Sequence, residues 1–410
     1  MSRKWITAYI ILIGILIEVT WIAGVISGPA FTNLLHLSNT QLGIVLGALN
    51  IGLFVFSPVA GKISSQRGSQ KVLLLGLLGM IVGVCFVIIG TNYAILLLGM
   101  LITGIANAFV INANMTILAN LFPDMIRRII SLYSALYFGG CAICSPLIGQ
   151  WLKISMEKGW YVLSYRVPFL ILLLIFIYFV IVVHRFIIPS ISQMTLTGQE
   201  KIENKTEKEK LPGFSKWFWV PVLSFLHGLM YIVMVSWISP MAKERFGANE
   251  FQGSLFVGVV TMGMGIGRLS IAALKLPWDD RNLLSFGTII GGLLFFAGFF
   301  VPSYFFSLSL VGLGSFIAST SFPCISSLAG DLFPEARAKI FGYMYATYAI
   351  GGILGTPFAG MLTDWGIELS WVLTISAWSA LLIGAISLLW RYIDKGMKEV
   401  SYNANSSSKI

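Results

Sequence analysis

Charge is what this sequence has least of. Asp, Glu, Lys and Arg together make 11% of the 410 residues, against 57% hydrophobic, whereas soluble domains carry about 25% charged residues. A water-facing surface cannot be built from so few ionised groups, so a soluble globular class is excluded. The 17 acidic and 27 basic residues suffice only for the ends of a bundle that crosses a membrane. Cysteine is scarce too. Cys85, Cys141, Cys144 and Cys324 all lie in apolar runs, which argues against a disulfide framework. Cys141 and Cys144 form a C-x-x-C inside a hydrophobic stretch and read as packing residues. The three histidines have no metal-ligand spacing, so no metal is expected. No nucleophile–base pair or cofactor fingerprint is present, and neither enzyme activity nor a cofactor is expected.

What is present is length of apolar run. A helix needs about 20 apolar residues to cross the bilayer. Twelve such stretches are expected, near 5–28, 41–60, 71–90, 94–117, 129–152, 167–184, 217–239, 252–274, 283–301, 305–328, 340–362 and 371–391. The first exceeds a signal-peptide core in length and ends at Ser27-Gly28-Pro29 without a small-x-small cleavage site, so it reads as span 1. The 42 glycines and 14 prolines suit membrane helices, which tolerate both better than soluble ones.

The basic residues set an orientation. With the N-terminus inside, five of the 27 Lys and Arg face out (Lys153, Lys158, Arg166, Lys243 and Arg245), and the other 22 face in. This positive-inside bias predicts cytoplasmic termini and explains the net charge of +10 without a nucleic-acid partner. Residues 190–216 are polar and charged, and read as a cytoplasmic linker. The expected organisation is a six-helix bundle over 1–189, the linker over 190–216, a second bundle over 217–391 and a cytoplasmic tail over 392–410.

The two halves repeat. LFPDMIRRIISLYSALYFGGCAICSPLIG begins at Leu121 and LFPEARAKIFGYMYATYAIGGILGTPFAG at Leu332. A constant offset of 211 pairs Pro123 with Pro334, Asp124 with Glu335, Tyr137 with Tyr348, Gly140 with Gly351, Pro146 with Pro357 and Gly149 with Gly360; Pro29 and Pro240 obey it as well. A gap-free match through a loop and a whole helix indicates duplication. Two such bundles about a shared pocket could rock so that the pocket faces each side in turn.

Here the sequence resembles the major facilitator superfamily. GKISSQRGSQK, from Gly61 to Lys71, resembles the family's G-x-L-A-D-R-x-G-R-R loop between spans 2 and 3. Gly61 and Gly68 match and Lys71 supplies a basic group, while Ser65 stands at the usual aspartate and Gln66 at the usual arginine. Gly267-Arg268-Leu269 resembles the family's span-8 ending. Pro146 and Gly149 resemble its G-P-x-x-G-G motif, with Ser145 and Gln150 replacing glycines. Asn114 and the proline-bearing span 5 loosely resemble the sugar-symporter branch. The resemblance implies an all-α membrane protein of 12 transmembrane helices in two pseudo-symmetric six-helix bundles, with spans 1, 4, 7 and 10 around the cavity. It also implies a gating role for Gly61, Gly68, Lys71 and Arg268.

The polar residues fall on those spans. Glu18 is the only acid deep within a span, with Gly14, Trp21 and Val25 on its face. Intramembrane carboxyls are costly and default to function, so Glu18 is the candidate proton-coupling residue. A counter-charge to a cationic solute and a plain interhelical bond are the other readings. His227, Tyr231 and Met234 share a helical face at i, i+4 and i+7. Asn107 and Asn114 share another, with Asn112 pointing elsewhere. Tyr133, Tyr137 and Gly140, and Tyr345, Tyr348 and Gly352, form two more. Trp21, Asn107, Asn114, Tyr137, His227, Tyr231 and Tyr348 are therefore candidate substrate contacts, with helix packing the alternative for each. Arg268 reads as a gate or headgroup residue ahead of an anion ligand. Gly43–Gly47, Gly79–Gly83, Gly287–Gly291 and Gly351–Gly355 read as close-packing stripes.

The expected function is secondary transport of a small organic solute with protons, by a monomer in the plasma membrane (the inner membrane of a bacterium). The alternatives are an efflux antiporter for drugs or metabolites and a non-transporting sensor of the same fold.

Overall fold

The computed structural model describes residues 2–122, 126–190, 218–273, 279–332 and 337–407. Among the described residues there are helices and no strands. The long helices are α1 (Arg3–Ile26), α2 (Asn39–Arg67), α3 (Ser69–Ile89), α4 (Tyr93–Leu121), α5 (Ile126–Glu157), α6 (Tyr161–Val182), α7 (Trp219–Phe246), α8 (Glu250–Ala273), α9 (Asp280–Phe300), α10 (Tyr304–Ala318, resuming at Ser321–Leu332), α11 (Arg337–Asp364) and α12 (Thr374–Ser407). Among the described residues, 11 segments are long and apolar enough to cross a bilayer. α11 supplies the remaining expected span by its helical length and its packing.

Several expectations fall on residues that are not described: the linker from residue 191 onward, Pro123 with Pro334, and Asp124 with Glu335. The side chains of Ser65 and of residues 391–407 also lie outside the description. The backbone of α12 continues as helix through Ser407, so much of the expected tail prolongs the last span.

The duplication reaches into local geometry. A short helix, Gly28–Leu35, follows α1 and starts on Pro29 in its first turn, where a missing N–H costs nothing. It ends at His36, a left-handed C-cap with φ 52°. At the same offset of 211, α7 ends at Gly247, left-handed with φ 63°. Two residues further on, Ser38 and Gln41 exchange backbone and side-chain hydrogen bonds of 3.2 and 3.0 Å. Asn249 and Gln252 repeat the exchange at 2.9 and 3.0 Å. Both are capping boxes that start the next helix.

The expected Gly61–Lys71 loop is nearly all helix. α2 runs to Arg67 and α3 starts at Ser69, so Gly68 alone turns the chain, with φ 87°, a conformation that strongly favours glycine. Gly61 and Lys71 lie exposed on the two helices.

Helices α1–α6 pack among themselves, as do α7–α12, and the two bundles meet through α2 with α11, α5 with α8, and more lightly α1 with α7. Glycines bring the backbones together. A Cβ on Gly43 would lie 2.5 Å from the Thr356 carbonyl, and one on Gly360 would lie 2.2 Å from the Asn39 carbonyl. Gly79 and Gly83 admit Ala106 and Thr103, Gly287 and Gly291 admit Thr320 and Ala318, and Gly351 admits the Phe225 carbonyl. The glycine stripes are packing surfaces, as their spacing implies.

One end of the molecule carries Arg3, Arg67 and Lys71, and is called the basic end here. At the opposite, far end α2 and α11 interlock, and Leu42 to Asn50 are buried except Ile44. Toward the basic end α2 has exposed apolar side chains. Val55 and Val59 are exposed, and Tyr345 is 50% exposed although its ring packs 5.3 Å from the interior Phe322.

Candidate functional site

The polar chemistry of the spans converges between the bundles. Glu18 is half-buried on α1 and has no hydrogen bond or ion pair among the described residues. It interacts electrostatically with Arg268 on α8 and with Tyr133 and Tyr137 on α5. The gap expected at Gly14 is filled by Tyr133, whose ring would lie 2.3 Å from a Cβ there. Tyr133 in turn accepts from Asn114 Nδ2 at 3.2 Å.

Arg268 is placed against expectation. A helical side chain leans toward its helix N-terminus. The N-terminus of α8 is at the far end, so Arg268 leans into the membrane and away from the headgroups. Its guanidinium lies 4.4 Å over the ring of Phe138 and 5.8 Å from that of Phe322. Nη1 donates to the Tyr137 hydroxyl at 3.3 Å, and Nε is buried without a partner. Arg268 thus lies among the central aromatic residues and not at the headgroups.

Around this pair stands an aromatic wall. Tyr137 meets Phe138 at 4.6 Å between ring centres, Phe138 meets Tyr231 at 5.6 Å, and Tyr231 meets Trp21 at 6.0 Å. On the second bundle, His227 lies 5.6 Å from Tyr348 and 5.3 Å from Phe322, and its Nδ1 is 2.9 Å from Ser321 Oγ.

His227 and Tyr231 sit four residues apart across the start of a π-turn over Leu229–Val233. His227 packs against Tyr348 and Phe322 of the second bundle, and Tyr231 against Trp21 and Phe138 of the first. α10 breaks after Ala318 and resumes at Ser321, which brings Ser321 and Phe322 to the site.

The two asparagines separate. Asn114, fully buried, ties α4 to α1 and α5 through the Ile10 carbonyl and Tyr133, which is a packing geometry. Asn107 is 4% exposed and its Oδ1 has no partner, like the Oδ1 of Asn114, the Nε1 of Trp21 and the Nδ2 of Asn50. Buried polar atoms are nearly always paired, so these open valences suit a ligand or water between the bundles. Phe138 and Phe322 were not among the expected site residues. A separate cleft of about 550 Å³ between α7 and α11, lined by Phe218, Pro221, Val222, Phe225, Leu226 and Thr347, is apolar and holds none of this chemistry.

The arrangement brings one carboxyl, one guanidinium and a set of phenol, indole and imidazole faces together between the bundles. Among the described residues no group of His, Cys, Asp and Glu could hold a metal ion. Known proteins resemble this chain in sequence and fold. The glucose transporter GlcP of Staphylococcus epidermidis is 23% identical over 419 residues, covering 92% of each chain. The structure of a bacterial homologue of the human lysosomal transporter Spinster superposes with a TM-score of 0.73 at 14% identity, covering 94% of this chain and 96% of that one. The fucose:proton symporter FucP of E. coli gives a TM-score of 0.65 at 18% identity, covering 95% and 99%. The Major Facilitator Superfamily family model matches residues 9–314 and 278–407. With this sequence match over most of its length and long helices in two duplicated bundles, the chain belongs to the Major Facilitator Superfamily of membrane transporters.

Proposed function

We propose that the protein carries a small organic solute across the membrane by alternating access and couples this movement to protons through Glu18. The observation that carries the reading is the setting of Glu18. It is a half-buried carboxyl between the bundles, without an ion pair among the described residues and facing one guanidinium from the other bundle. A carboxyl placed in this way gains or loses a proton as the cavity exchanges one side for the other, because its exposure to water and its distance from Arg268 change together. The far-end closure of α2 on α11 suits one half of such a cycle. The symporter FucP, a structural neighbour, moves fucose with protons, which agrees with the coupling. The distribution of Lys and Arg favours a cytoplasmic basic end, in the plasma membrane, with the single chain as the working unit.

The experiment is transport by reconstituted protein under an imposed pH gradient, compared with exchange at equal pH. Glu18→Gln is expected to abolish accumulation against a gradient while leaving solute exchange in place. Undiminished proton-driven accumulation by Glu18→Gln overturns the coupling.

A further inference from the structure

We infer that Arg268 binds the single anionic group of the transported solute, so that the cargo is a monovalent organic anion: a carboxylate on an apolar or aromatic body. The inference rests on reading the inter-bundle cavity as the transport site.

The first ground is the guanidinium's lack of a counter-ion. The two ion pairs among the described residues, Lys153–Glu157 and Lys243–Glu250, lie elsewhere. Arg268 uses Nη1 on Tyr137, and its buried Nε has no partner. Guanidinium has five donors in a planar fork, and a charge held within a span is kept only where it has a task.

The second ground is how the fork is held. α8 cannot retreat from its neighbours. A Cβ on Gly265 would lie 3.3 Å from the Ala135 carbonyl, and one on Gly267 2.5 Å from the Phe316 carbonyl. Phe138 and Phe322 take up the vicinity of the guanidinium face, which leaves its edge for a ligand. An edge-on fork with free donors matches a carboxylate in two parallel hydrogen bonds. The surrounding rings of Tyr231, Tyr348 and Trp21 suit an apolar or aromatic body.

The third ground is charge balance. The groups facing Glu18 are Arg268 from α8, Tyr133, Tyr137 and Cys141 from α5, Tyr231 from α7 and Tyr348 from α11. Phenols and thiols are neutral near neutral pH, so Arg268 is the single cation among them. It can balance the Glu18 carboxylate or a solute carboxylate, and holding both leaves an uncompensated negative charge. The solute anion therefore binds best when Glu18 carries a proton. A dianion would need a second cation. An uncharged sugar, the cargo of GlcP and FucP, would leave the Glu18 carboxylate as the guanidinium's one counter-charge.

The test is isothermal titration of the full-length protein in nanodiscs with benzoate, phenylacetate and isobutyrate, each beside its amide, and with phthalate, phenylalanine and glucose. At least one monocarboxylate is expected to bind about tenfold or more tightly than its amide, and better than phthalate, phenylalanine or glucose. Arg268→Gln is expected to erase the acid–amide difference, and Arg268→Lys to retain part of it. The acid–amide comparison on the unaltered protein needs no variant to fold. The inference is overturned if no acid outbinds its amide, if phenylalanine, glucose or phthalate binds in preference to every monocarboxylate, or if folded Arg268→Gln binds acids as before. Glu18→Gln separates the two readings. If acid binding depends on Arg268 and its pH dependence survives Glu18→Gln, the anion inference stands and the coupling through Glu18 falls.

Discussion

Asp364, the last residue of α11, caps the helix on which Thr40 lies. Its carboxylate accepts from the backbone N–H of Thr40 at 2.8 Å and of Asn39 at 2.9 Å, the first residues of α2. The Thr40 hydroxyl donates to it as well. A side chain of the second bundle thus satisfies orphan donors of a helix in the first, and the far-end closure is tied by more than glycine packing. The capping box of Ser38 and Gln41 at the same helix start leaves those two amides for Asp364.

The first prediction concerns that tie. A helix cap is worth about 1 kcal/mol, so Asp364→Ala should shift the balance away from far-end closure by about fivefold. Spin labels on the exposed Asn33 and Trp365, read by pulsed dipolar spectroscopy, should show a larger long-distance population. An unchanged distribution would mean that the cap does not hold the closure.

The same tie has a pH signature. Partial burial raises the Asp364 carboxyl's affinity for protons, but hydrogen bonds from Thr40 and Asn39 outweigh it and hold its pKa below the ordinary 3.8. A depressed carboxylate pKa stabilises the state that depresses it above the ordinary value, and the gain is lost as pH falls through the lowered one. The Asn33–Trp365 distances should therefore stay constant from about pH 8 to 5 and lengthen only below about 4. A transition near neutrality would point to another group.

Gly43 tests the closure from its other side. A Cβ there would lie 2.5 Å from the Thr356 carbonyl and 2.8 Å from Pro357 Cα, backbone atoms with no rotamer to yield. Gly43→Val should disfavour the closed far end by about 1–3 kcal/mol and slow solute exchange about tenfold, with the protein still monodisperse. Wild-type exchange rates would show that α2 and α11 separate without cost.

His227 is 1% exposed and bonds Ser321 Oγ through Nδ1. Ser321→Ala leaves that nitrogen buried without its partner, at a cost of about 1–3 kcal/mol. The melting temperature should fall clearly. An unaltered one would mean that water replaces the hydroxyl.

Much of this was legible in the sequence, because the bilayer makes polarity expensive and so marks every span and every polar residue inside one. The duplication was legible too, and further than the Leu121 and Leu332 stretches show: Ser38 with Gln41 and Asn249 with Gln252 carry the same capping box at the same offset. Side-chain direction was the weaker element. Periodicity placed His227 and Tyr231 on one face but did not say what each meets: His227 packs on Tyr348 and Phe322, and Tyr231 on Trp21 and Phe138. Nearness to the end of a span suggested the headgroups for Arg268. Its lean toward the α8 N-terminus follows from helix geometry alone and pointed inward. Phe138 and Phe322 looked like any core aromatic, though the Ser319-Thr320-Ser321-Phe322-Pro323 run carries the signature of a broken helix that delivers Phe322 to the cavity.

The central claim is that Glu18 takes up and releases a proton inside the cavity, and infrared difference spectroscopy measures this without knowledge of the solute. Wild type compared with Glu18→Gln should show one carboxylic-acid carbonyl band that vanishes as the pH is raised and returns when it is lowered. A spectrum without any Glu18-dependent acid band at every pH, or with one that never titrates, would contradict the account.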